Sequence, residues 1–355
     1  MKRDEFVKYW DNVIRAWFMC ANGQYEIPPF DYNRKKNLSP ESNKDLEEQI
    51  TMIESINTTV GKNHKKYTIH PSHMPEPYWG DPDNCSIVLL DYNPAGGSNV
   101  SYQTSIECVD CGKFPNSLTK FVKNHKYSEL AKGFPLLQDG KKPIMVYLED
   151  DTSEDISWIT KYGGYQWWQE KKEWLNHIAK EIPLNNNLDY MPFGMELIGW
   201  HSEGWGNNMR WVNNDNYIPT ILSETVLEPL FDTVINNNTI AVCIGAEFKF
   251  TTLQNLNNTN KGYRIEDKTE CVICLKSNKL NQKYSAKLEQ DSKNKKDISI
   301  KVVKKDKIRY YRLYKMIKGN DNIFILNTWA QGGNKQPAEH FWEAENIILN
   351  AIGKL

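Results

Sequence analysis

The chain has 355 residues, with 44 Lys and Arg against 45 Asp and Glu, and 39% of it is hydrophobic, including 12 Trp, 18 Tyr and 12 Phe. That content excludes a disordered chain, and the net charge of −1 excludes a polycationic coat protein. The length fits one large domain with insertions or two smaller ones.

In chain order, Phe6, Val7, Trp10, Val13, Ile14, Trp17 and Phe18 fall on one face at helical spacing, with Gly23 as a stop. The charges scattered through this stretch are unlike a signal peptide. Leu46, Ile50, Ile53 and Ile56 predict a second helix, so residues 1–74 read as an N-terminal helical extension. A Pro-rich approach, HPSHMPEPYWGDPDN, leads into the apolar run Cys85–Leu90. Four runs resemble it: Ile144–Leu148, Met195–Trp200, Thr239–Ile244 and Ile323–Leu326. Helical patterns at Ile221–Ile235 and His340–Ile352 separate some of them. Short continuous apolar strands interleaved with helices predict a three-layer α/β/α domain over 75–355 with a central, mainly parallel sheet. Long connections near 98–187 and 247–320 read as insertions, the second with antiparallel strands at Thr269–Leu275, Ile298–Val303 and Arg309–Tyr314.

No run approaches the ~18 apolar residues of a membrane span. Seven cysteines, an odd number, point to a reducing cytoplasm rather than a disulfide scaffold. Charge is segregated: Lys276–Arg309 holds 12 Lys/Arg and four acids, an excess of +8 that leaves −9 elsewhere. Such a stretch, with Lys304, Lys305, Arg309 and Arg312 at its end, suits phosphate neutralisation, or is simply a solvated insertion. The strip Arg309-Tyr310-Tyr311-Arg312-Leu313-Tyr314-Lys315 alternates cations with aromatic faces, as a base-stacking surface or a half-buried strand would.

The sharpest motif follows the first strand: Val88-Leu89-Leu90-Asp91-Tyr92-Asn93-Pro94-Ala95-Gly96-Gly97. Ligands of open α/β sheets sit beyond the carboxyl ends of strands, and Pro with small residues fixes a tight turn there. This sequence resembles the uracil-DNA glycosylase superfamily, whose strand ends in a water-activating loop of the GINPG or GQDPYH kind. The lead-in PEPYWGDPDNCSIVLLDYNP is similar to a divergent bacterial branch. Two further blocks carry the resemblance: Met195–Ser202, similar to the strand ending in a Tyr/Trp-His-Ser element, and Ile323–Trp329, similar to the strand before the loop that enters the duplex, with Thr239–Gly245 preceding it.

The resemblance implies a monofunctional DNA glycosylase. Asn93 would hold the hydrolytic water, Asp91 would act as base or electrostatic support, and His201 would stand at the base edge. Tyr92, Pro94 and Ser202 would line the pocket, and Asn327, Thr328, Trp329 and Gln331 would probe the strand. Asp91 and Ala95 replace two family glycines, and the late loop lacks Pro-Ser. The substitutions at Tyr92 and Ala95 fit a wider pocket for a bulky modified pyrimidine, such as glucosylated hydroxymethylcytosine in phage DNA. Uracil repair, or DNA binding without catalysis, are the alternatives. DNA is the expected partner, with no membrane, cofactor, metal or obligatory protein partner, and no lysine is motif-placed for a Schiff base.

Two Cys-x-x-Cys pairs, Cys108/Cys111 and Cys271/Cys274, spell half-sites for zinc, but the second lies in a β-like run where residues three apart face opposite ways. His201-Ser202-Glu203 matches half of a zinc-deaminase signature, without the Pro before the cysteines. The Trp-rich Tyr165–Trp168 stretch with Trp174 reads as packing.

Overall fold

The computed structural model describes residues 1–20, 40–60, 68–69, 75–91, 126–133, 163–184, 192–200, 217–244, 261–274, 288–290, 298–300, 308–328 and 342–353. Its helices are α1 (Arg3–Cys20), α2 (Pro40–Val60), α3 (Tyr127–Gly133), α4 (Gly163–Glu181), α5 (Tyr217–Leu222), α6 (Glu228–Asn236) and α7 (Trp342–Ile352). Its strands are β1 (Tyr78–Trp79), β2 (Ile87–Asp91), β3 (Pro192–Glu196), β4 (Ala241–Ile244), β5 (Tyr263–Cys274), β6 (Leu288–Gln290), β7 (Ile298–Ile300), β8 (Ile308–Lys318) and β9 (Asp321–Thr328). None of the described helices is long and apolar enough to cross a membrane. The predicted strand Ile144–Leu148 lies outside the described residues.

The chain forms two compact units. The first takes Met1–Pro82, Tyr92–Gln169 and Gly194–Pro229. In α1 the stripe Phe6, Trp10, Val13, Ile14 and Trp17 is buried, as its spacing predicts, and Asp4 and Glu5 sit in the first turn where the helix dipole favours anions. Polar pairs fix α1 on α2: Asn12 Nδ2 donates to Asp45 Oδ2 at 2.9 Å, and Gln49 Nε2 donates to the Tyr9 hydroxyl at 2.9 Å. Asp11 accepts from both the amide and the hydroxyl of Ser128, each at 2.8 Å, and so caps the start of α3. Burial raises the Asp11 carboxyl above its ordinary range, against those two bonds.

The Pro-rich approach belongs to this core. Tyr78 packs against Phe6 and Tyr127, and Tyr127 donates its hydroxyl to the Tyr78 carbonyl at 2.7 Å. β1 pairs antiparallel with the end of β3, Tyr78 opposite Met195 and Trp79 opposite Gly194. The predicted strand Met195–Trp200 is therefore displaced: β3 ends at Glu196, and Leu197–Trp200 are buried without being a strand. A Cβ on Gly199 would lie 2.9 Å from the Pro77 Cα and 3.0 Å from Trp10, and Trp200 donates its indole N–H to Gln49 Oε1 at 2.9 Å. Tertiary packing, rather than sheet pairing, explains that apolar run.

The predicted helix Ile221–Ile235 is present but widened, because a π-helical turn, Ser223–Leu227, joins α5 to α6. Pro229 has no N–H to give and its ring would crowd the carbonyl four residues back, so the chain takes a wider turn, with Glu228 N–H bonding the Ser223 carbonyl.

The second unit takes Asp83–Asp91, Glu170–Phe193 and Leu230–Leu355. Here β2, β4 and β9 run parallel, and every residue of β2 and β4 is buried, as strands covered on both faces require. β3 is the neighbour of β2 on its other side. The turn from α6 into β4 has the 6→1 and 5→2 bonds of a Schellman motif: Thr239 N–H to Val234 O at 3.1 Å and Asn238 N–H to Ile235 O at 3.2 Å. Asn238 takes the left-handed position at φ 47°. The Thr239 hydroxyl then donates to the Ser86 carbonyl, tying β4's entry to β2's.

β9 continues into an antiparallel extension, β9-β8-β5, so the sheet is mixed, with parallel strands at its centre. The α/β expectation holds at that level. β5 and β8 lie in the region predicted as an insertion, yet they are long strands of the same sheet. The β8–β9 turn, Gly319–Asn320, has Gly319 at φ +62°, the sign that primed two-residue hairpin turns require. β6 and β7 form a separate two-stranded ribbon.

Candidate functional site

The parallel strands end together. Leu90 of β2 is in register with Cys243 of β4, and Cys243 with Asn327 of β9. Across the antiparallel pairs the row extends to Arg312 on β8 and Glu270 on β5. Cross-strand partners share a face of the pleat, so Leu90, Cys243 and Asn327 lie along one face. One residue further along, Ile244 and Thr328 are paired, and Asp91 follows Leu90, so these three belong to the opposite face. With strands spaced at about 4.8 Å, the backbones of Asp91 and Thr328 are about 10 Å apart across β4.

Two observations separate this edge from ordinary core. Asn327 is half-buried, and its Oδ1 is shielded from solvent yet accepts no hydrogen bond from the described residues. Such an atom costs free energy unless a ligand or water donates to it. Asp91, only 1% exposed, is a carboxylate at the tip of an otherwise apolar strand, where a chain without a polar task would have placed another aliphatic residue. Thr328 is buried, its hydroxyl 3.5 Å from the Cys243 carbonyl, and Cys243 is a buried free thiol.

Of the residues singled out in the sequence, the fold brings Asp91, Asn327 and Thr328 to one end of the parallel strands and sets Arg312 beside Asn327. Arg309 lies three residues before Arg312 on β8, opposite Ile273 on β5. Tyr92, Asn93, Pro94, His201, Ser202, Trp329, Gln331, Lys304 and Lys305 lie outside the described residues. So does the Cys108/Cys111 pair. Cys271 and Cys274 are paired along β5 with Tyr311 and Ile308 of β8. Among the described residues no three His, Cys, Asp or Glu side chains converge as a metal site would need.

Sequence reasoning missed a second polar cluster, between α4 and α7. Glu345 is fully buried, and both its carboxylate oxygens lie 3.1 Å from one donor, the Trp174 indole N–H. Burial pushes its carboxyl up to about 8, with the indole pulling slightly the other way. One turn along, His177 stacks on Trp342 with centroids 4.5 Å apart. Its imidazole is held below its ordinary value, chiefly by desolvation, with Glu181 and the Asn346 hydrogen bond opposing. The signal was present: Glu345, Ile348, Leu349 and Ile352 follow the helical period, which puts an acid on the buried stripe.

No protein-family model, curated protein or solved structure matches the chain.

Proposed function

We propose that the chain is a cytoplasmic DNA glycosylase, with a uracil-DNA glycosylase-like three-layer core, that hydrolyses the N-glycosidic bond of a flipped, modified pyrimidine. The observation that carries this reading is the shared carboxyl edge of β2, β4 and β9, which sets the strand before the Asn93-Pro94 turn and the strand before the Trp329–Gln331 stretch within about 10 Å of each other. Those are the two chain segments that the motif reading assigns to water and to the probed strand.

In that reaction the C1′–N bond of the nucleoside breaks and a water adds to C1′, leaving an abasic sugar and a free base. Asn93 holds the water beneath the sugar, and its proton passes to Asp91 or to solvent. His201 donates to the base as negative charge develops on it. Asn327 offers an unused acceptor to an exocyclic amine, which suits a cytosine-type base better than uracil at that contact. The basic strands and their flanks, Arg309, Arg312, Lys304 and Lys305, supply phosphate contacts that offset the cost of extrusion.

Mass spectrometry of bases released from a panel of modified duplexes tests this directly. The expected result is release of a 5-substituted cytosine by wild type, lowered at least about a hundredfold in Asn93→Ala and His201→Ala, the range that general acid–base groups supply. Release of plain uracil alone would favour the repair reading. Salt-sensitive DNA binding without any released base, unchanged by Asn93→Ala, would end the enzymatic one.

A further inference from the structure

The ribbon of β5 and β8 runs past the end of the parallel strands. The last pair between β8 and β9 is Arg312 with Asn327, and the last between β9 and β4 is Thr328 with Ile244. Beyond that row, Ile308, Arg309, Tyr310 and Tyr311 of β8 pair with Cys274, Ile273, Val272 and Cys271 of β5. Among the described residues no third strand is hydrogen-bonded to these four pairs, although β7 lies close to β5. At about 3.4 Å per residue they carry the ribbon about 14 Å beyond Asn327. An extension two strands wide adds little stability of its own, so its length calls for another explanation.

The cations of β8 supply one. Arg309, Arg312, Lys315 and Lys318 differ in what stands beside them. Arg312 is in register with Glu270, and Lys315 with Asp267. Lys318 Nζ lies 4.3 Å from the centre of the Tyr263 ring and donates to the Tyr263 hydroxyl at 2.7 Å. Opposite-charge and cation–aromatic pairs of this kind serve a sheet from within. Arg309 is in register with an aliphatic residue, Ile273, and the outer four pairs contain no acid. It also closes the stretch Lys276–Arg309, in which 12 Lys/Arg outnumber four acids.

We propose that the outer four pairs of the β5–β8 ribbon are a contact surface for the sugar–phosphate backbone of DNA, with Arg309 as its phosphate-binding cation. The surface is made of Ile308–Tyr311 and Cys271–Cys274 and needs no other segment. A guanidinium binds phosphate oxygens through two N–H groups at once, which a lysine cannot do. Arg312, set against Glu270, contributes a smaller share. Arg309 stands three residues along β8 from the partner of Asn327, about 10 Å, the axial length of about three nucleotides of a duplex strand. A base read at Asn327 thus puts a phosphate about three nucleotides away at Arg309. That registration rests on the glycosylase reading, whereas the DNA surface does not.

The test is equilibrium binding of an unmodified duplex of about 20 base pairs to the full chain, by fluorescence anisotropy over about 50–300 mM KCl. The slope of log K against log salt should become shallower by about 0.9 in Arg309→Gln, the share of one phosphate contact, and by less in Arg312→Gln. Arg309→Lys keeps the charge and should keep the slope, with weaker binding. Lys318→Gln should keep the wild-type slope and lower the melting temperature instead. In wild type, the duplex should protect Arg309 from a dicarbonyl reagent more than it protects Arg312, read by peptide mass spectrometry. That measurement decides the matter if Arg309→Gln does not fold.

An unchanged slope in Arg309→Gln, an equal change in Arg312→Gln, or an Arg309 that the duplex leaves unprotected overturns the proposal, as does a chain that binds no duplex. Base release by wild type, with the binding slope untouched in Arg309→Gln, would remove this surface and leave the glycosylase reading standing. The expected slope change without base release from any modified duplex would sink the glycosylase reading and leave the surface.

Discussion

Two of the polar groups that the second unit shields from solvent are treated differently. Between α4 and α7 the Glu345 carboxyl is sealed completely and given one donor, the Trp174 indole. At the carboxyl edge of the parallel strands, Asn327 stays partly open and its acceptor atom is given none of the described donors. The first arrangement costs free energy that only the surrounding fold can offset, so its partners are structural. The second keeps its cost small through partial exposure and leaves hydrogen-bonding capacity for something that arrives from outside. Stability and function should therefore separate along this line.

The largest effect is expected at Trp174, which is 1% exposed. Trp174→Ala should destabilise the unit by about 3–5 kcal/mol in denaturant unfolding, since it opens a cavity and strips Glu345 of its donor. Trp174→Phe keeps most of the volume and loses the N–H, so about 1–3 kcal/mol is expected from the unserved carboxyl. A cost near zero for Trp174→Phe beside a large one for Trp174→Ala would mean that the hydrogen bond matters little and the cluster is ordinary packing.

Next in size is the pH dependence of that same region. Because Glu345 binds its proton more tightly in the folded chain, the stability it confers is complete below about pH 4.5 and declines up to about 8. The difference in unfolding free energy between wild type and Glu345→Gln should change by about 1.4 kcal/mol per pH unit inside that window and level off above it. A flat difference would show that the carboxyl ionises as easily in the folded chain as in the unfolded one.

The same contrast explains what the sequence could and could not reveal. Cys85–Leu90, Thr239–Ile244 and Ile323–Leu326 are continuous apolar runs because strands covered on both faces need nothing else, and all three overlap observed strands. The antiparallel half is harder to read. β5 and β8 mix charges with apolar residues along their length, so they look like an insertion, although Gly319-Asn320 between two alternating runs was a hairpin signal. Met195–Trp200 misled in the other direction. Its residues are apolar because Gly199 and Trp200 pack against Pro77, Trp10 and Gln49, and β3 has ended before them. The adjacency of Asn327 and Arg312 follows from the hairpin register that Gly319-Asn320 sets, but the alignment of Asn327 with Cys243 and Leu90 depends on a register that spans three strands. No local pattern encodes that.

A smaller effect is expected at Thr328. Its hydroxyl contact to the Cys243 carbonyl is long, at 3.5 Å, so Thr328→Val should cost no more than about 0.5–1 kcal/mol despite complete burial. A loss comparable to that of Trp174→Phe would show that the strand edge is as structural as the helix layer, and the distinction between the two regions would fail.

The least stability change of all is expected at Asn327. Its Oδ1 has no hydrogen bond with the described residues to lose, and its side chain is only half-buried, so Asn327→Ala should shift unfolding by about 0.5 kcal/mol or less. Asn327→Leu replaces an unserved polar atom with an apolar one of similar size and should be neutral or slightly stabilising. Function should move the opposite way. If the acceptor reads an exocyclic amine on the extruded base, both variants should lose about tenfold or more in release of cytosine-type bases, the value of one hydrogen bond of 1.4 kcal/mol or more. Asn327→Asp keeps the acceptor and should retain more of that release than Asn327→Leu. A strand-end amide that can be removed with gain in stability and loss of turnover is being kept for a ligand. One whose removal unfolds the unit and leaves turnover unchanged is being kept for the sheet, and the carboxyl edge would then have no claim to be the site.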